Sequence, residues 1–181
     1  MVDYSCLFEV PAMSRVDLRQ IAKKLRDILQ IETPYFPIEG LLECMHLLVG
    51  VDYDIIDDMT WGVSYGNNVH AQYDLDQKCI CVKESVYLRA CDGCGRDRFT
   101  IAHEIAHAIL IRDNRIKFCR SEKDPIPLYK NPEWQADCLA GELLVPYDLC
   151  RNMSVETIAK KCMVSFSAAK TQKKAMNKYI N

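Results

Sequence analysis

The sequence predicts an α+β fold that is mainly helical, with a small antiparallel sheet ahead of one long buried helix and a helical hairpin at the C-terminal end. Three patterns support this fold. Apolar residues recur at helical spacing over 15–49 and 97–145, residues 51–83 form short Val-, Ile- and Tyr-rich segments, and two amphipathic stretches follow after 155. Of the 181 residues, 49% are hydrophobic, so the chain is long enough to bury one sizeable core.

Two helices are predicted at the start of the chain. The first covers residues 15–30 with Ser14 as its N-cap, and the second covers residues 38–49 and ends at Gly50. His46 lies on the second helix. A single histidine on a mostly apolar helix is usually a packing or surface residue, so we do not include it in a metal site.

The segment from 51 to 83 predicts strands. Residues 53–56 form one strand, and residues 69–73 and 78–83 flank the turn 74–77 as a hairpin. The strand 69–73 could also be a sheet edge to which an extended substrate adds by main-chain hydrogen bonds.

Two histidines on one helix are the most informative feature of the chain. The helix is expected to begin near Asp97 and to be buried, because it is apolar on most sides. A helix turns once every 3.6 residues, so His103 and His107 share a face and can bind one metal ion. Glu104 is turned by about 100° from His103, and its carboxylate could act as a general base on a water held by that ion. This pattern is typical of zinc-dependent peptidases.

The next helix is predicted after a long loop. Residues 112–130 have loop composition, and Asn131 is a good N-cap for a helix that carries Pro132 in its first turn. This helix is expected to end near Val145, before Pro146.

A third metal ligand is predicted on that helix. Catalytic zinc usually binds three protein ligands and leaves one position to water. Glu133 and Asp137 stand four residues apart, so their carboxylates point the same way. We interpret Glu133 as the third ligand and Asp137 as the acceptor for the outer ring nitrogen of His103. The alternative is that both acids lie on a solvated helix surface.

Ten cysteines raise the question of disulfides or a second metal. Residues 1–15 contain no apolar run of signal-peptide length, which favours a cytoplasmic protein with reduced thiols. Cys79, Cys81, Cys91 and Cys94 could form a four-thiolate zinc knuckle. The alternative is that Cys79 and Cys81 share one face of a strand and pack inward.

The C-terminal segment is basic. Residues 155–181 contain six lysines and one acid, which gives +5 against −7 for the remaining residues. We expect residues 1–154 to form the metallopeptidase domain and residues 155–181 to form a helix-turn-helix-like segment packed on it. Its lysines could bind DNA or form a solvated face of a terminal hairpin. The lysines in question are Lys170, Lys173, Lys174 and Lys178.

Three stretches of sequence together resemble the ImmA/IrrE family of zinc metallopeptidases. They are residues 96–107, which include the two histidines, residues 133–137 and residues 143–146. A weaker likeness extends over residues 51–178. One departure is Cys138, where the family tends to have phenylalanine before the alanine. The spacing of Glu133 and Asp137 is also similar to that of gluzincins.

The resemblance implies both a site and a substrate. It places one catalytic zinc on His103, His107 and Glu133, with Glu104 as catalytic base and Asp137 supporting a metal histidine. The implied substrate is a helix-turn-helix repressor of a phage or other mobile element, cleaved in the cytoplasm. Two alternatives are a zinc-binding protein that sequesters a regulator without cleaving it and a DNA-binding regulator. Candidate oxyanion donors are His70, Tyr129 and Tyr147.

Overall fold

The structure is a computed structural model that describes the backbone of residues 8–113, 117–118 and 126–178, and the side chains of residues 10–111 and 126–178. Strand β1 (Phe8–Glu9) is followed by helices α1 (Arg15–Ile28) and α2 (Ile38–Val49). Ser14 and Asp17 form a capping box at the start of α1, and α2 ends at Gly50 with φ of 68°. The two predicted helices therefore form where their sequence caps place them.

A three-stranded sheet follows these helices. It contains β2 (Asp52–Ile56), β3 (Ala71–Asp74) and β4 (Cys79–Lys83), in the order β2-β4-β3. The predicted hairpin β3–β4 is antiparallel, but β2 pairs with β4 in parallel, so the sheet is mixed and its predicted antiparallel pairing was wrong for β2. The reason is that the chain does not turn back beside β2 after that strand ends. It crosses to the other edge of the sheet to form β3, and β4 then fills the central position between them.

That connection contains a helix that the strand pattern did not predict. Helix α3 (Asp58–Ser64) is capped by the Asp57 side chain, which accepts from two backbone amides. Its Trp61 is fully buried and donates from Nε1 to the Val69 carbonyl at 2.7 Å. The helix therefore covers the face of the sheet opposite the main core.

The long helix lies at the centre of the protein. It is α5 (Gly95–Asp113), preceded by α4 (Glu84–Cys91), and it packs against helices on several sides and against the sheet. Its apolar residues, such as Ile101 and Ile105, are fully buried, as predicted. Asp97 is not the N-cap, because the helix begins two residues earlier. Its carboxylate accepts instead from Arg89 of α4 at 2.7 Å.

Residues 112–130 are only partly the predicted loop. Helix α5 continues into this range, and residues 117–118 form strand β5 (Lys117–Phe118), which pairs with β1. The remaining part of the prediction lies largely outside the described residues, up to a 3-10 turn at Leu128–Lys130.

Helix α6 (Pro132–Leu144) packs along both α5 and α1. Asn131 caps it by accepting from the Trp134 amide at 3.0 Å, and Pro132 lies in its first turn. Small residues of α6, including Ala136 and Ala140, are fully buried. Their size allows neighbouring helices to pack close to α6.

Three further helices follow α6 in the described residues. They are α7 (Tyr147–Cys150), α8 (Val155–Cys162) and α9 (Phe166–Lys178). Ile158 and Ala169 belong to the same apolar core as the central helix. Within the described parts of the chain, no helix is both long enough and apolar enough to span a bilayer.

Candidate metal centre

Two imidazole nitrogens from α5 meet at the surface where α6 crosses it. His103 and His107 are one helical turn apart, and their Nε2 atoms lie 3.0 Å from each other. Their side chains are 19% and 14% exposed, so both rings are largely buried while their edges reach an open side. Two buried nitrogen donors aimed at one point are a suitable basis for a metal site.

Glu133 supplies the third donor from the first turn of α6. Its Oε2 lies 3.2 Å from His103 Nε2, and its Oε1 lies 3.4 Å from His107 Nε2. Tetrahedral zinc with bonds of about 2.0–2.1 Å places its ligand atoms roughly 3.3–3.4 Å apart. The three separations, from 3.0 to 3.4 Å, lie at or slightly below that distance. These three residues form the one group within the described residues that could hold a metal ion.

Asp137 lies one turn further along α6, behind the first histidine. Its Oδ1 is 2.9 Å from His103 Nδ1. A carboxylate in this position accepts from Nδ1–H and so leaves the lone pair of Nε2 for a metal. The structure thus places Asp137 against His103, as the helical spacing of Glu133 and Asp137 indicated.

Electrostatics at the site reflect this concentration of carboxylates. Burial disfavours the charged imidazole of His103, but the hydrogen bonds that it donates to Asp137 and Glu133 outweigh this effect and raise its pKa to about 10. The hydrogen bonds from His103 and His107 hold the pKa of Glu133 well below its usual range. Without metal, the His103 imidazole is therefore protonated and lies next to the ionised carboxylate of Glu133. A metal cation can replace the proton that His103 carries.

Glu104 lies beside the three donors and points toward the sheet. Its Oε2 accepts a hydrogen bond from the main-chain amide of Tyr73 in β3 at 2.8 Å. Burial raises the pKa of Glu104, although the two nearby histidines and the Tyr73 amide lower it. A partly buried carboxyl with a raised pKa is suited to take up and release a proton near neutral pH. Sequence reasoning missed the Tyr73 contact, because a backbone amide leaves no signal in residue identity.

The three candidate oxyanion donors lie in different places. Tyr147 packs its ring under the Arg19 guanidinium, 3.9 Å from its centroid, in a cleft between α1 and α7. Tyr129 is half exposed in the 3-10 turn, and its carbonyl accepts from Gln135. His70 immediately precedes β3, and its buried Nδ1 has no hydrogen-bond partner among the described residues. No described hydrogen bond joins these three side chains to the metal group.

The four cysteines considered as a zinc knuckle are not gathered into one group. In the described part of the chain, no cluster of metal-binding side chains includes them. Cys81 is buried in the small cluster around Trp61, and Cys79 packs against it, so these two cysteines follow the inward-packing alternative. Cys91 is exposed at the end of α4.

Comparison with known proteins gives two findings. A family model described as the IrrE N-terminal-like domain, from a peptidase family, matches residues 61–171, which include every residue of the metal group. A solved structure of a Mycobacterium tuberculosis transcriptional regulator shares the fold over 85% of this chain, with a TM-score of 0.57 and 15% sequence identity. The match covers 45% of that regulator's chain, so this chain spans less than half of its length. No protein of curated function matches the chain.

Proposed function

The chain belongs to the ImmA/IrrE family of peptidases, and from this premise we propose that it is a cytoplasmic zinc-dependent endopeptidase of narrow specificity that cleaves a helix-turn-helix repressor of a phage or other mobile element. The proposed substrate class rests on the family, and the proposed chemistry rests on the geometry of the site. The observation that carries the proposal is the convergence of His103, His107 and Glu133 within 4.8 Å, with Glu104 beside them.

The donor set fits zinc. Two neutral imidazoles and one carboxylate are a common ligand set of catalytic zinc, with the fourth position left open. When bound, the metal supplies Lewis-acid polarisation of a carbonyl and activation of water near neutral pH. His103 and His107 would hold the ion from one helix and Glu133 from the other, and Asp137 keeps the His103 ring in the required tautomer.

Glu104 carries the proton. Its carboxylate takes a proton from the attacking water as the oxygen adds to the peptide carbonyl, and it delivers that proton to the amide nitrogen as the C–N bond breaks. The products are one new carboxyl group and one free amine. The partial burial of Glu104 supports this role, because a carboxyl that is partly withdrawn from water binds its proton more tightly than a fully solvated one.

The edge strand β3 supports a binding mode for the substrate. The Tyr73 amide points to Glu104 and therefore away from β4, so the main-chain groups of Tyr73 face the open edge of the sheet. An extended segment that pairs with this edge would run beside Glu104 and the metal donors. We propose that the repressor is cleaved in a segment that is extended when bound.

The proposal is tested by co-expressing the protein with candidate helix-turn-helix repressors, starting with any that a neighbouring gene encodes, and looking for repressor fragments. The wild-type protein should produce two fragments and switch on a reporter under repressor control. Glu104→Gln should bind zinc in a 1:1 ratio but produce neither fragments nor reporter activity, because only the proton carrier is lost.

The same pair of proteins separates cleavage from sequestration. If Glu104→Gln activates the reporter as strongly as the wild type while the repressor stays intact, the protein inactivates its partner by binding alone and the peptidase proposal is wrong. The control is the zinc content of the purified wild type and Glu104→Gln. Equal zinc content shows that the two proteins differ only in the carboxyl group.

A further inference from the structure

The last two helices have the connectivity of a helix-turn-helix. Helix α8 and helix α9 are joined by the three residues from Met163 to Ser165. Met163 takes the left-handed conformation, with φ of 52° and ψ of 51°, which ends α8 abruptly. Val164 is buried, and the Ser165 hydroxyl accepts from the Ala168 amide at 3.1 Å at the start of α9. The turn therefore sets the two helices at a fixed relative position.

Helix α9 has one face inside the protein and one face outside. Ala169, Gln172 and Met176 are buried, and Gln172 accepts a hydrogen bond from Arg15 of α1. The opposite face is solvent-exposed and mixes lysines with small polar residues and one aromatic residue. Its members are Phe166, Ser167, Lys170, Thr171, Lys174 and Asn177.

The exposed surface of α8 and α9 is strongly positive. Lys160, Lys161, Lys170 and Lys174 are exposed, and none of them forms an ion pair within the described residues. Glu156 is the one acid in residues 155–181. Since residues 1–154 carry a net charge of −7, this positive surface stands out from the rest of the protein. Exposed lysines on two adjoining helices that lack acidic partners favour a polyanionic partner.

Contacts with the central helix hold the turn in place. The Arg98 side chain is fully buried on α5 and donates from Nε to the Met163 carbonyl at 3.1 Å. Lys173 donates to the Arg151 carbonyl at 2.6 Å, so this lysine anchors α9 to the end of α7 and is not part of the exposed set. A positive surface on rigid elements is presented in one geometry.

We propose that the α8–α9 surface binds duplex DNA, with the exposed face of α9 in the major groove and the lysines on phosphates. The diameter of a helix matches the width of that groove, and the second helix of such a motif reads bases from its N-terminal turns. Ser167 and Thr171 lie in those turns and can hydrogen-bond to base edges, while Lys160 and Lys161 of the first helix reach the backbone. This inference goes beyond the peptidase proposal and does not depend on it.

The experiment is a titration of a fluorescently labelled 25-base-pair duplex with the full-length, zinc-loaded protein, followed by fluorescence anisotropy at several salt concentrations. Four lysine–phosphate contacts predict that log K falls with log salt with a slope of about −3 to −4. Lys170→Ala/Lys174→Ala should reduce that slope by about 2 and weaken binding about tenfold or more near 0.1 M salt. Lys170→Arg/Lys174→Arg should bind like the wild type, since the charges remain.

Two controls make the result specific. Lys23→Ala/Lys24→Ala removes two exposed lysines from α1 and should leave DNA binding unchanged. Glu104→Gln should also bind DNA normally, so a failure of the peptidase proposal leaves this one intact. The proposal is overturned if the wild type does not bind at low salt or if the α9 and α1 double variants bind equally. It is also overturned if polyglutamate at equal charge displaces the duplex as well as unlabelled DNA does, because the surface would then be a site for acidic proteins.

Discussion

The main-chain amide of Tyr73 and the carboxylate of Glu104 are joined by a hydrogen bond of 2.8 Å, which links the edge of the sheet to the metal helix. Because the bond comes from the backbone, it aims the carboxylate without using any particular side chain. It also means that one donor of the edge proposed to bind substrate is already engaged by the proposed general base. In the proposed mechanism, position 73 therefore connects substrate pairing with proton transfer.

Replacing Tyr73 with proline removes that donor and is expected to lower the cleavage rate about 10- to 100-fold, since a misplaced base loses its alignment with the attacking water. Zinc binding should remain, because no metal donor is touched. Proline is tolerated in an edge strand where the amide faces away from the neighbouring strand, as it does here. Cleavage rates of a repressor-derived peptide and zinc content measure the two effects.

The matched control for this change is Tyr73→Phe, which keeps the amide and should cleave at the wild-type rate. Equal loss of activity in both variants would show that the phenol matters and that the amide bond to Glu104 does not.

Asp137→Asn is expected to weaken zinc binding about 10- to 100-fold. The 2.9 Å contact between Asp137 and His103 Nδ1 fixes the ring orientation, and a neutral amide accepts a weaker hydrogen bond than a carboxylate. Competition with a chromophoric chelator measures the affinity. Asp148→Asn, an exposed acid on α7, is the control and should bind zinc like the wild type.

The metal-free protein is expected to lose stability as pH rises from about 6.5 to about 10. The pKa of His103 in the folded state, about 10, lies above its value in the unfolded state. Protonation of His103 therefore stabilises the folded state in full below about pH 6.5. This stabilisation is lost as the pH rises through the folded-state pKa. The lowered pKa of Glu133 gives the opposite sign, with stability lost on acidification below about 4.5.

Urea unfolding in the presence of a chelator, from pH 5 to pH 9.5, measures this dependence. His103→Gln removes the titrating group and should flatten the alkaline side of the curve. A wild-type protein whose stability is constant between pH 6.5 and 9.5 would contradict the charge state assigned to the metal-free site.

The sequence predicted those elements whose signals are local. Ser14 and Asn131 specify helix starts through their own side chains, and the spacing of His103 and His107 specifies a shared face. Glu133 could also be predicted, because a two-histidine site needs a third donor and the helical spacing supplies one. These inferences need no knowledge of how distant segments pack.

The errors concern long-range order. The parallel pairing of β2 with β4 depends on which strand fills the central position. The residues of the two strands do not indicate that order. Helix α3 is seven residues long, too short to show a helical period against its β-branched surroundings. Asp97 is of a residue type that is common at N-caps, but its carboxylate accepts a hydrogen bond from the Arg89 side chain, eight residues earlier.

Glu142 shows a further long-range feature, since it lies on α6 between two arginines of α1. Its carboxylate is 1% exposed and accepts from Arg15 at 2.8 Å and from Arg19 at 2.9 Å. Glu142→Gln should destabilise the protein by about 3–5 kcal/mol, because two largely buried guanidinium groups lose their counter-charge. Urea denaturation measures the change.

Asp148→Ala is the comparison for Glu142, because it breaks the exposed pair with Lys23 and should cost about 1 kcal/mol or less. Similar losses in the two variants would show that the Glu142 network contributes no more than a surface ion pair.

Alanine in place of Gly95 at the start of α5 is expected to destabilise the protein. A Cβ at this position would lie 2.4 Å from the Ser165 amide nitrogen and 2.5 Å from the Val164 carbonyl carbon, and both atoms are backbone that cannot rotate away. Gly95→Ala should therefore lower the free energy of unfolding by about 1–3 kcal/mol, even though alanine favours helices. For a chain of this length that corresponds to a melting temperature lower by roughly 2–12 °C.

Gly40→Ala on α2 is the matched control for Gly95→Ala, because its Cβ would meet only Pro37 Cβ at 3.9 Å, an ordinary contact. There the helix propensity of alanine should act alone and raise stability by up to about 1 kcal/mol. Thermal unfolding of the two variants should therefore shift in opposite directions. If Gly95→Ala is instead as stable as the wild type, the turn between α8 and α9 does not pack against the start of α5, and the fixed presentation of the lysine surface loses its structural basis.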